Sequence, residues 1–524
     1  MGSMKKIGSL KKNQLLPLAV VALTLLALVA YTFFCLNHLM HSDMAAEVLL
    51  SRLLADRGEL ITKEWYYSTE IRILYSQLVM TPLFYLFSDY HTVKVLCILI
   101  YLAAFVLTVR FLTARFQLSP AAGCMVLMLL LSPWSNEYLD MMFLGNFYTS
   151  QVIIMFLVTG LFWKQDWKSP AGQKAALVFL GVLAVLCGLS GLRYPACLFV
   201  PLVLATATGF LADMPAEENA IWWRKLPDRF LPAVALTICA GAGFLIHKFY
   251  LAPNYSFDQT PVTFVPLSEV PDRLLVAFKL MLELFGYREG VSFASGLGLC
   301  NVIKCLAFLV YIISIVRLFY RRKELLKKEE IVFLWYFVFL FLINLYMLVF
   351  TNVLQQYRYW IPVFAVGTIP VAFYWERGFG KGGSRTLVQA FLVLAALSSL
   401  YGELWQDVKF DDCAKREGYM AFLEDSDYDF GYATFWNGPV TEYLSNGRVK
   451  MGNIGENGPY EWLTPKAYYR KGFHQGKVFM LLAVTEEKGL LETDAPVMED
   501  SRKVYGDEYY SIYEKDEMFL FSEQ

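Results

Sequence analysis

The sequence has few charged side chains for its length and no motif for holding a nucleotide phosphate. Only 18% of its 524 residues are Asp, Glu, Lys or Arg, whereas 57% are hydrophobic and 16% are aromatic. A soluble protein of this size needs more polar surface to cover its core. No glycine-rich loop with a following Lys-Ser or Lys-Thr occurs, which argues against nucleotide hydrolysis. The composition predicts a multi-span membrane protein, and it does not suggest nucleic acid as a partner.

Cysteine is present without any pairing pattern. Almost all of the nine cysteines lie inside apolar segments, and no C-x-x-C spacing occurs. In such segments cysteine acts as a small hydrophobic residue, so we expect neither a disulfide framework nor a thiolate zinc site. The centres of the apolar segments also show no obvious charged residue of the kind that a proton-coupled carrier needs, and no internal repeat is evident.

Apolar runs long enough to cross a bilayer recur through the first 405 residues. We predict about eleven spans, near 15–36, 92–112, 120–133, 149–163, 175–192, 194–212, 230–250, 296–319, 331–351, 360–375 and 386–405. The third and fourth are short, which is compatible with tilted or re-entrant segments. The first has no small-residue cleavage site and is expected to be a retained anchor.

Lysine and arginine indicate the orientation of the spans. They cluster before span one and after spans four, six, eight and ten, at Lys5, Lys6, Lys11, Lys12, Lys164, Lys168, Lys174, Arg224, Lys225, Arg229, Arg321, Arg322, Lys323, Lys327, Lys328, Arg377, Lys381 and Arg385. All of these fall on one side of the membrane, which the positive-inside rule makes cytoplasmic. The N-terminus is therefore expected in the cytoplasm, and function is expected on the other side.

The outer side receives loops 37–91, 134–148 and 251–295 and everything after residue 405. Helical patterns at 44–54, at 71–87 around Pro82 and at 270–284 predict helices at the membrane surface, with Trp65, Tyr66 and Tyr67 at headgroup level. After residue 405 the composition becomes that of a soluble domain. Strand-like runs at 432–436, 449–453, 477–484, 509–514 and 518–522 alternate with a helical stretch at 412–424. The predicted domains are a membrane domain, 1–405, and an extracytoplasmic α/β domain, 406–524.

Asp43 is the first candidate for a functional residue, because a carboxylate at the membrane boundary is costly to hold there. It is placed to act as a general base on an acceptor hydroxyl or amine, with His41 as a helper in proton transfer or hydrogen bonding. The alternative is structural. Ser42 or Asp43 would cap the helix that begins near Met44, with Glu47 near its first turn.

Further acidic candidates lie in the outer loops. Glu137 and Asp140 form a pair between spans three and four, Glu70 follows the aromatic run of the first loop, and Glu47 with His41 near the start of that loop are further acceptor- or metal-binding candidates. Two carboxylates from separate loops would suit a divalent metal, Mg²⁺ or Mn²⁺, or would orient an acceptor. Solvated loop charges are the alternative for each of them.

Two arginines lie close to the outer edge of the apolar layer. Arg193 occupies a tight turn between two spans, and Arg358 stands just before span ten. A guanidinium in such a place suits a phosphate or pyrophosphate, whereas the alternatives are snorkelling to lipid headgroups and pairing with a carboxylate. His247 and Lys248, at the outer end of span seven, would add positive charge, although snorkelling is the simpler role for Lys248.

The outer Asp after span one, the helices of the first loop, the arginine-bearing outer turns and the C-terminal α/β domain together resemble the GT-C superfamily of membrane glycosyltransferases. That superfamily includes protein mannosyltransferases, the aminoarabinose transferase of lipid A and oligosaccharyltransferases. The segments similar to its bacterial members are His41 to Glu47, Trp65 to Glu70, Gly431 to Asn437 and Leu444 to Gly447. The sequence thus predicts an α-helical polytopic membrane protein of GT-C type in a bacterial plasma membrane.

The resemblance implies roles for several of these residues. Asp43 would be the catalytic base or acceptor-binding group, Asp140 or Glu137 the second acid, and Arg358 with Arg193 the carrier-phosphate site. The expected reaction moves a sugar, hexosyl or pentosyl, from a polyprenyl-phosphate donor to an envelope polysaccharide, lipid or protein, with inversion. Ser42-Asp43 stands where the family often has two adjacent acids, which leaves metal dependence open. A transporter or flippase of lipid-linked sugars and a non-catalytic envelope-binding protein are the alternatives.

Overall fold

The structure, a computed structural model, describes residues 12–165, 167, 170–212, 229–257, 261–379, 383–405, 414–455, 458–493 and 495–522. The contacts divide the chain into two compact units. The first unit comprises residues 1–30, 100–247 and 261–407, and the second comprises 31–99, 248–260 and 408–524. The first outer loop and the C-terminal segment are therefore parts of the same compact unit. The predicted domain boundary near residue 405 stays a prediction.

Helices make up most of the chain, as the long apolar runs require. In chain order they are α1 (Lys12–Cys35), α2 (Ser42–Arg57), α3 (Gln77–Phe84), α4 (Tyr90–Arg115), α5 (Pro120–Leu131), α6 (Asn136–Leu139), α7 (Thr149–Lys164), α8 (Pro170–Leu189), α9 (Val200–Ala212), α10 (Phe230–Ile246), α11 (Ala252–Asn254), α12 (Val270–Leu284), α13 (Gly296–Tyr320), α14 (Arg322–Leu325), α15 (Lys328–Phe350), α16 (Ile361–Arg377), α17 (Gly383–Ser399), α18 (Glu417–Glu424), α19 (Gly438–Leu444) and α20 (Val484–Glu492). Single π-helical turns precede α9 and follow α6, α10 and α17.

Each of the eleven predicted apolar segments lies on a helix. Six helices of the described residues are long and apolar enough to cross a membrane, and a seventh span is possible if the bent pair of residues 136–144 and 149–164 counts as one. The bend between the members of that pair is 68°. The polytopic helical fold is thus clear, but a count of eleven spans is not confirmed. The uncertain stretch is the one where the sequence predicted short segments.

Ion pairs mark one end of the bundle in the first unit. Glu329 forms ion pairs with Arg229 at 2.7 Å and with Arg115 at 3.3 Å, and Glu330 forms one with Arg377 at 2.5 Å. Arg229 and Arg377 belong to the cationic set that the sequence placed on a single side. Lys5, Lys6, Lys11, Lys168, Arg224, Lys225 and Lys381 lie outside the described residues. The assignment of that end to the cytoplasm stays a prediction.

Helices α8 and α10 pack with their backbones in direct contact. A Cβ atom on Gly188 would lie 2.0 Å from the carbonyl oxygen of Ala240, and one on Gly243 would lie 2.1 Å from that of Val185. Small residues at both crossing points allow this approach, which is a common way for helices to associate in a bilayer. The other glycine of α10, Gly241, has no such neighbour within 4 Å.

A mixed sheet organises the C-terminal part of the second unit. Its strands are β2 (Phe430–Ala433), β3 (Lys450–Gly455), β4 (Gly458–Pro459), β6 (Val478–Ala483), β7 (Arg502–Gly506) and β8 (Tyr510–Lys515), in the order β4-β3-β2-β6-β8-β7. The strands β3, β2 and β6 are parallel, and the others pair antiparallel. Their buried side chains form cores on both faces. Two short strands, β1 (Trp65–Tyr66) and β5 (Thr464–Pro465), form a separate antiparallel pair.

Several local predictions need correction. The helix predicted at 71–87 is confined to Gln77–Phe84. Residues 518–522 form no strand, although Met518 and Leu520 pack into the core beside the sheet. Trp65, Tyr66 and Tyr67 do not lie open to lipid headgroups, since their side chains are 0%, 2% and 5% exposed. The predicted helices at 44–54 and 270–284 are present as α2 and α12, whereas residues 412 and 413 lie outside the described part of the 412–424 stretch.

Candidate functional site

Asp43 lies in the first turn of α2, where the positive end of the helix dipole favours a carboxylate. It does not cap the helix: His41 occupies the N-cap position, with extended backbone and no side-chain capping bond. The Ser42 hydroxyl is buried and has no hydrogen-bond partner among the described residues. Asp43 is half-buried and makes no hydrogen bond or ion pair within the same ranges. The capping alternative is therefore wrong, and the Asp43 carboxylate is available.

A cavity of about 190 Å³ opens beside α2 and α3 within the second unit. Two of the predicted acids, Glu47 and Glu70, line it together with the Arg72 guanidinium, the Gln77 amide and the Leu463 side chain. Glu47 follows Asp43 by one helical turn, so both carboxylates share a face of α2. The pocket combines apolar walls with a few charged groups, which is the usual composition of a small-molecule site.

Burial governs the chemistry of Glu47, whose side chain is 8% exposed. Its carboxylate accepts hydrogen bonds from Ser76 Oγ at 3.1 Å and Gln77 Nε2 at 2.6 Å. Burial raises the pKa of Glu47 to about 7, although the charges of Arg72 and Lys94 oppose the rise. A carboxyl with this pKa can exchange a proton near neutral pH.

Two basic residues of this unit escaped the sequence analysis. The Nε atom of Arg72 lies 3.5 Å from a Glu70 oxygen, and its guanidinium donates to the Tyr75 hydroxyl at 2.9 Å while lying over that ring. Lys94 is fully buried and acts electrostatically on Glu47. Lys94 could have been found from the sequence, because it lies at the start of a predicted apolar span, where a charge needs a partner or a function.

In the first unit, Glu137 lies in the first turn of α6, and Asp140 directly follows the last residue of that helix. Glu137 Oε1 lies 3.5 Å from Arg358 Nη1, so the two predictions meet in one ion pair. Burial raises the pKa of Glu137, and the negative charge of Asp140 adds to the rise while Arg358 opposes it. Glu137 therefore has an arginine at ion-pair distance.

A buried ion cluster supports the loop that carries Glu137. Glu403 is fully buried, accepts a hydrogen bond from Lys304 Nζ at 2.6 Å and pairs with Arg288. Lys304 also donates to the Trp134 carbonyl at 3.1 Å, and Arg288 donates to the Asn136 side chain at 2.7 Å. These contacts fix the backbone just before Glu137. The sequence analysis missed all three charges of this cluster.

The remaining basic candidates have structural contacts. Arg193 lies over the Tyr148 ring, 5.1 Å from its centroid. His247 is 6% exposed and its Nδ1 lies 3.0 Å from the Leu189 carbonyl, so it joins the ends of two helices, and its role at a phosphate site stays a prediction. Lys248 lies over the Phe249 ring at 5.8 Å, which agrees with snorkelling.

The first unit also contains an apolar cavity of about 200 Å³, and one of its lining residues is close to Arg358 in the chain. Trp360, two residues further on, lines it together with aromatic and aliphatic side chains of α12, α13, α15 and α16, among them Phe285, Phe337, Phe341 and Phe364. Two polar groups belong to residues of its wall: the Tyr311 hydroxyl donates to the Phe364 carbonyl at 3.1 Å, and the Trp360 indole N–H donates to the Ala277 carbonyl at 3.1 Å. Such a cavity suits a hydrocarbon chain.

In the described ranges, no group of three or more His, Cys, Asp or Glu side chains converges in a way that could hold a metal ion. The expectation of a divalent metal stays a prediction. Asp43, Glu47 and Glu70 belong to one compact unit, whereas Glu137, Asp140, Arg193 and Arg358 belong to the other. The predicted meeting of Asp43 with the two arginines also stays a prediction.

Two solved structures of ArnT from Cupriavidus metallidurans, an aminoarabinose transferase, share the fold of this chain, which is GT-C-like. The ArnT structure bound to undecaprenyl phosphate matches with a TM-score of 0.58 and 10% identity, over 95% of this chain and 97% of that chain. The apo structure matches with a TM-score of 0.57, 12% identity and the same coverage. No family model and no curated protein sequence matches the chain.

Proposed function

We propose that this chain is an integral-membrane glycosyltransferase that takes a sugar from a polyprenyl-phosphate donor and transfers it to an envelope polysaccharide, lipid or protein on the outer side. The observation that carries the proposal is the likeness in fold to ArnT over 95% of the chain, including a structure of ArnT with undecaprenyl phosphate. An enzyme outside the cytoplasm has no nucleotide sugars, so its donor must arrive through the bilayer. The sugar and the acceptor stay open.

The proposed chemistry is a single displacement at the anomeric carbon. Asp43 takes the proton of the acceptor hydroxyl as its oxygen attacks that carbon, and the bond between the carbon and the phosphate oxygen breaks. Polyprenyl phosphate leaves with the bonding electrons, and the configuration inverts. The half-buried, unpaired state of Asp43 supports this role, because a base tied up in a cap or an ion pair could not accept the proton.

Cations are needed where negative charge develops on the leaving phosphate. Arg358 is our candidate in the first unit, because the apolar cavity that includes Trp360 suits the isoprenoid chain next to it. Arg72 is the candidate in the second unit, because its guanidinium lines the polar cavity with Glu47 and Glu70. Arg193 is retained from the sequence as a further phosphate ligand. No step of this proposal uses a metal.

Transfer of a radiolabelled sugar in membrane vesicles tests the proposal. Asp43→Asn should lower transfer by about 10²- to 10⁴-fold, the usual contribution of a general base. Asp56→Asn is the matched control, because Asp56 lies on the same helix in an exposed pair with Arg52 and should matter little. Unchanged transfer in a folded Asp43→Asn variant would remove Asp43 from the mechanism. A flippase would move the lipid-linked sugar across the bilayer without forming a glycosylated product.

A further inference from the structure

In open α/β sheets, ligands usually bind beyond the carboxyl ends of the strands. In the C-terminal sheet of this chain, the corresponding place is the carboxyl end of β2. The strand β2 lies between two parallel neighbours, β3 and β6. The chain leaves β2 through α19 towards β3 on one side and later reaches β6 on the other side. A crevice forms where such connections diverge, beyond the carboxyl ends of the strands.

Four aromatic residues gather at this edge, and we call Phe435, Trp436, Tyr460 and Trp462 the aromatic platform. Phe435 is buried at its base, with ring centroids 5.4 Å from Trp436 and 6.5 Å from Tyr460. Tyr460 and Trp462 stack at 6.3 Å with 20° between their planes. Trp436 is 65% exposed and Tyr460 is 44% exposed, so large planar rings face solvent side by side.

The aromatic platform is held rigid by the backbone around it. Tyr460 N donates to the Asn453 carbonyl at 3.0 Å, and Trp462 N donates to the Tyr460 carbonyl at 2.8 Å. The Asn453 amide, fully buried at the end of β3, donates to the Trp462 carbonyl at 2.6 Å. Rings that are fixed before binding lose little conformational entropy when a ligand stacks on them.

Polar groups border the aromatic platform. Thr434 Oγ1 donates to Glu486 at 2.6 Å, and the Asn437 amide donates to the same carboxylate at 3.2 Å. Exposed Glu461 lies between Tyr460 and Trp462 in the chain, and its carboxylate accepts from the Tyr66 hydroxyl at 2.8 Å. Flat apolar faces bordered by amide and carboxylate groups match the two sides of a sugar ring, its C–H face and its hydroxyl rim. Anionic lipid headgroups would be repelled by the two carboxylates.

The chain leads directly from the aromatic platform to the wall of the polar cavity in the same unit. Leu463, the residue after Trp462, lines the cavity that holds Glu47, Glu70 and Arg72. The next two residues form β5, which pairs with β1 in the first outer loop. A chain of sugars lying on the platform would therefore lead towards the acidic residues of α2 and its neighbouring loop.

We propose that the aromatic platform binds the sugar rings of an acceptor polysaccharide and guides its end into the cavity. The proposal rests on the glycosyltransferase function proposed above. We assign the acceptor and not the donor, because a lipid-linked donor arrives through the bilayer whereas the platform belongs to the part of the chain with soluble composition. Nothing covalent happens at the platform, whose role is positioning.

Binding of defined hexasaccharides to the full chain in lipid nanodiscs tests the proposal. Saturation-transfer difference NMR with cellohexaose, chitohexaose and mannohexaose should detect binding of at least one of them to the wild-type chain. Trp436→Ala and Tyr460→Ala should each weaken that binding by at least fivefold. Phe473→Ala is the control, since Phe473 is 41% exposed and packs on Phe430 at the opposite edge of the sheet. No binding of any probe, or equal weakening by the control, would overturn the proposal.

The competing occupant is a lipid surface, and the same sample tests it. The fluorescence of Trp436 is the difference between the wild-type chain and Trp436→Phe. Brominated lipids in the nanodisc should not quench this fluorescence. Quenching of it would place Trp436 in the bilayer and overturn the proposal. Binding of a hexasaccharide by a chain that transfers no sugar would uphold the platform and refute the transferase. Transfer with an unchanged KM for acceptor in Trp436→Ala would refute the platform alone.

Discussion

The buried carboxyl of Glu47 predicts a stability that depends on pH. Its pKa is about 7 in the folded chain, against an ordinary value of 4.5, because burial disfavours the ionised form. The folded state therefore binds the proton more tightly than the unfolded state between these two values. The free energy of unfolding should be highest below pH 4.5, fall as the pH rises to 7 and then level off. The full difference is about 3 kcal/mol.

Glu47→Gln removes this dependence while keeping the shape of the side chain and an oxygen for the hydrogen bonds from Ser76 and Gln77. The variant should be more stable than the wild-type chain at pH 8, by up to about 3 kcal/mol, and nearly equal to it at pH 4.5. Thermal unfolding of both chains in nanodiscs at a series of pH values measures the effect as a difference in Tm.

Glu59→Gln is the control for that comparison. Glu59 lines the same cavity, but its side chain is 35% exposed, and its hydrogen bond with Arg57 lowers its pKa instead of raising it. Its substitution should change little between pH 5 and pH 8. A Tm difference between Glu47→Gln and the wild-type chain that stays constant from pH 5 to pH 8 would refute the reasoning about burial.

Three further substitutions test the packing and the charged groups. Gly188→Ala should destabilise the chain by about 1–3 kcal/mol in thermal unfolding, because its Cβ would overlap the α10 backbone. The control Gly241→Ala should be neutral or stabilising. Equal effects of the two substitutions would contradict the packing of α8 on α10. Glu403→Gln should cost about 3–5 kcal/mol by leaving Lys304 buried without a counter-charge, and Arg288→Ala, at a side chain 34% exposed, should cost less. Arg358→Ala should lower kcat/KM for donor by about 10- to 100-fold, whereas Arg321→Ala, in an exposed pair with Glu324, should leave it unchanged.

The helical part of the fold was open to sequence analysis because hydrocarbon thickness sets the length of an apolar run. All eleven predicted segments are helical, and α12 has the bounds that its amphipathic pattern predicted. Strand β7, by contrast, was missed because Arg502–Gly506 is an exposed edge with no alternation of buried residues. The burial of Trp65 and Tyr66 was missed because it depends on pairing with residues some 400 positions away, which no local pattern reveals.

The candidate site was predictable where a charge stood out against apolar surroundings. Asp43, Glu137 and Arg358 were singled out in this way; the last two form an ion pair, and the functional roles of all three stay predictions. Lys304 and Glu403 were missed although they lie in or beside apolar segments, because each neutralises the other only in the folded chain. Arg72 was missed because its stretch was interpreted as a helix, whereas the helix begins at Gln77.

The most direct test is the release of undecaprenyl phosphate by the purified chain in nanodiscs, supplied with an undecaprenyl-phosphate-linked sugar and envelope acceptor and followed by mass spectrometry. We predict that the wild-type chain and Asp56→Asn release the lipid phosphate together with a glycosylated acceptor. Asp43→Asn should release at least 100-fold less. Equal release by Asp43→Asn, or intact donor in the presence of the wild-type chain and every class of acceptor, would contradict a transferase that uses Asp43.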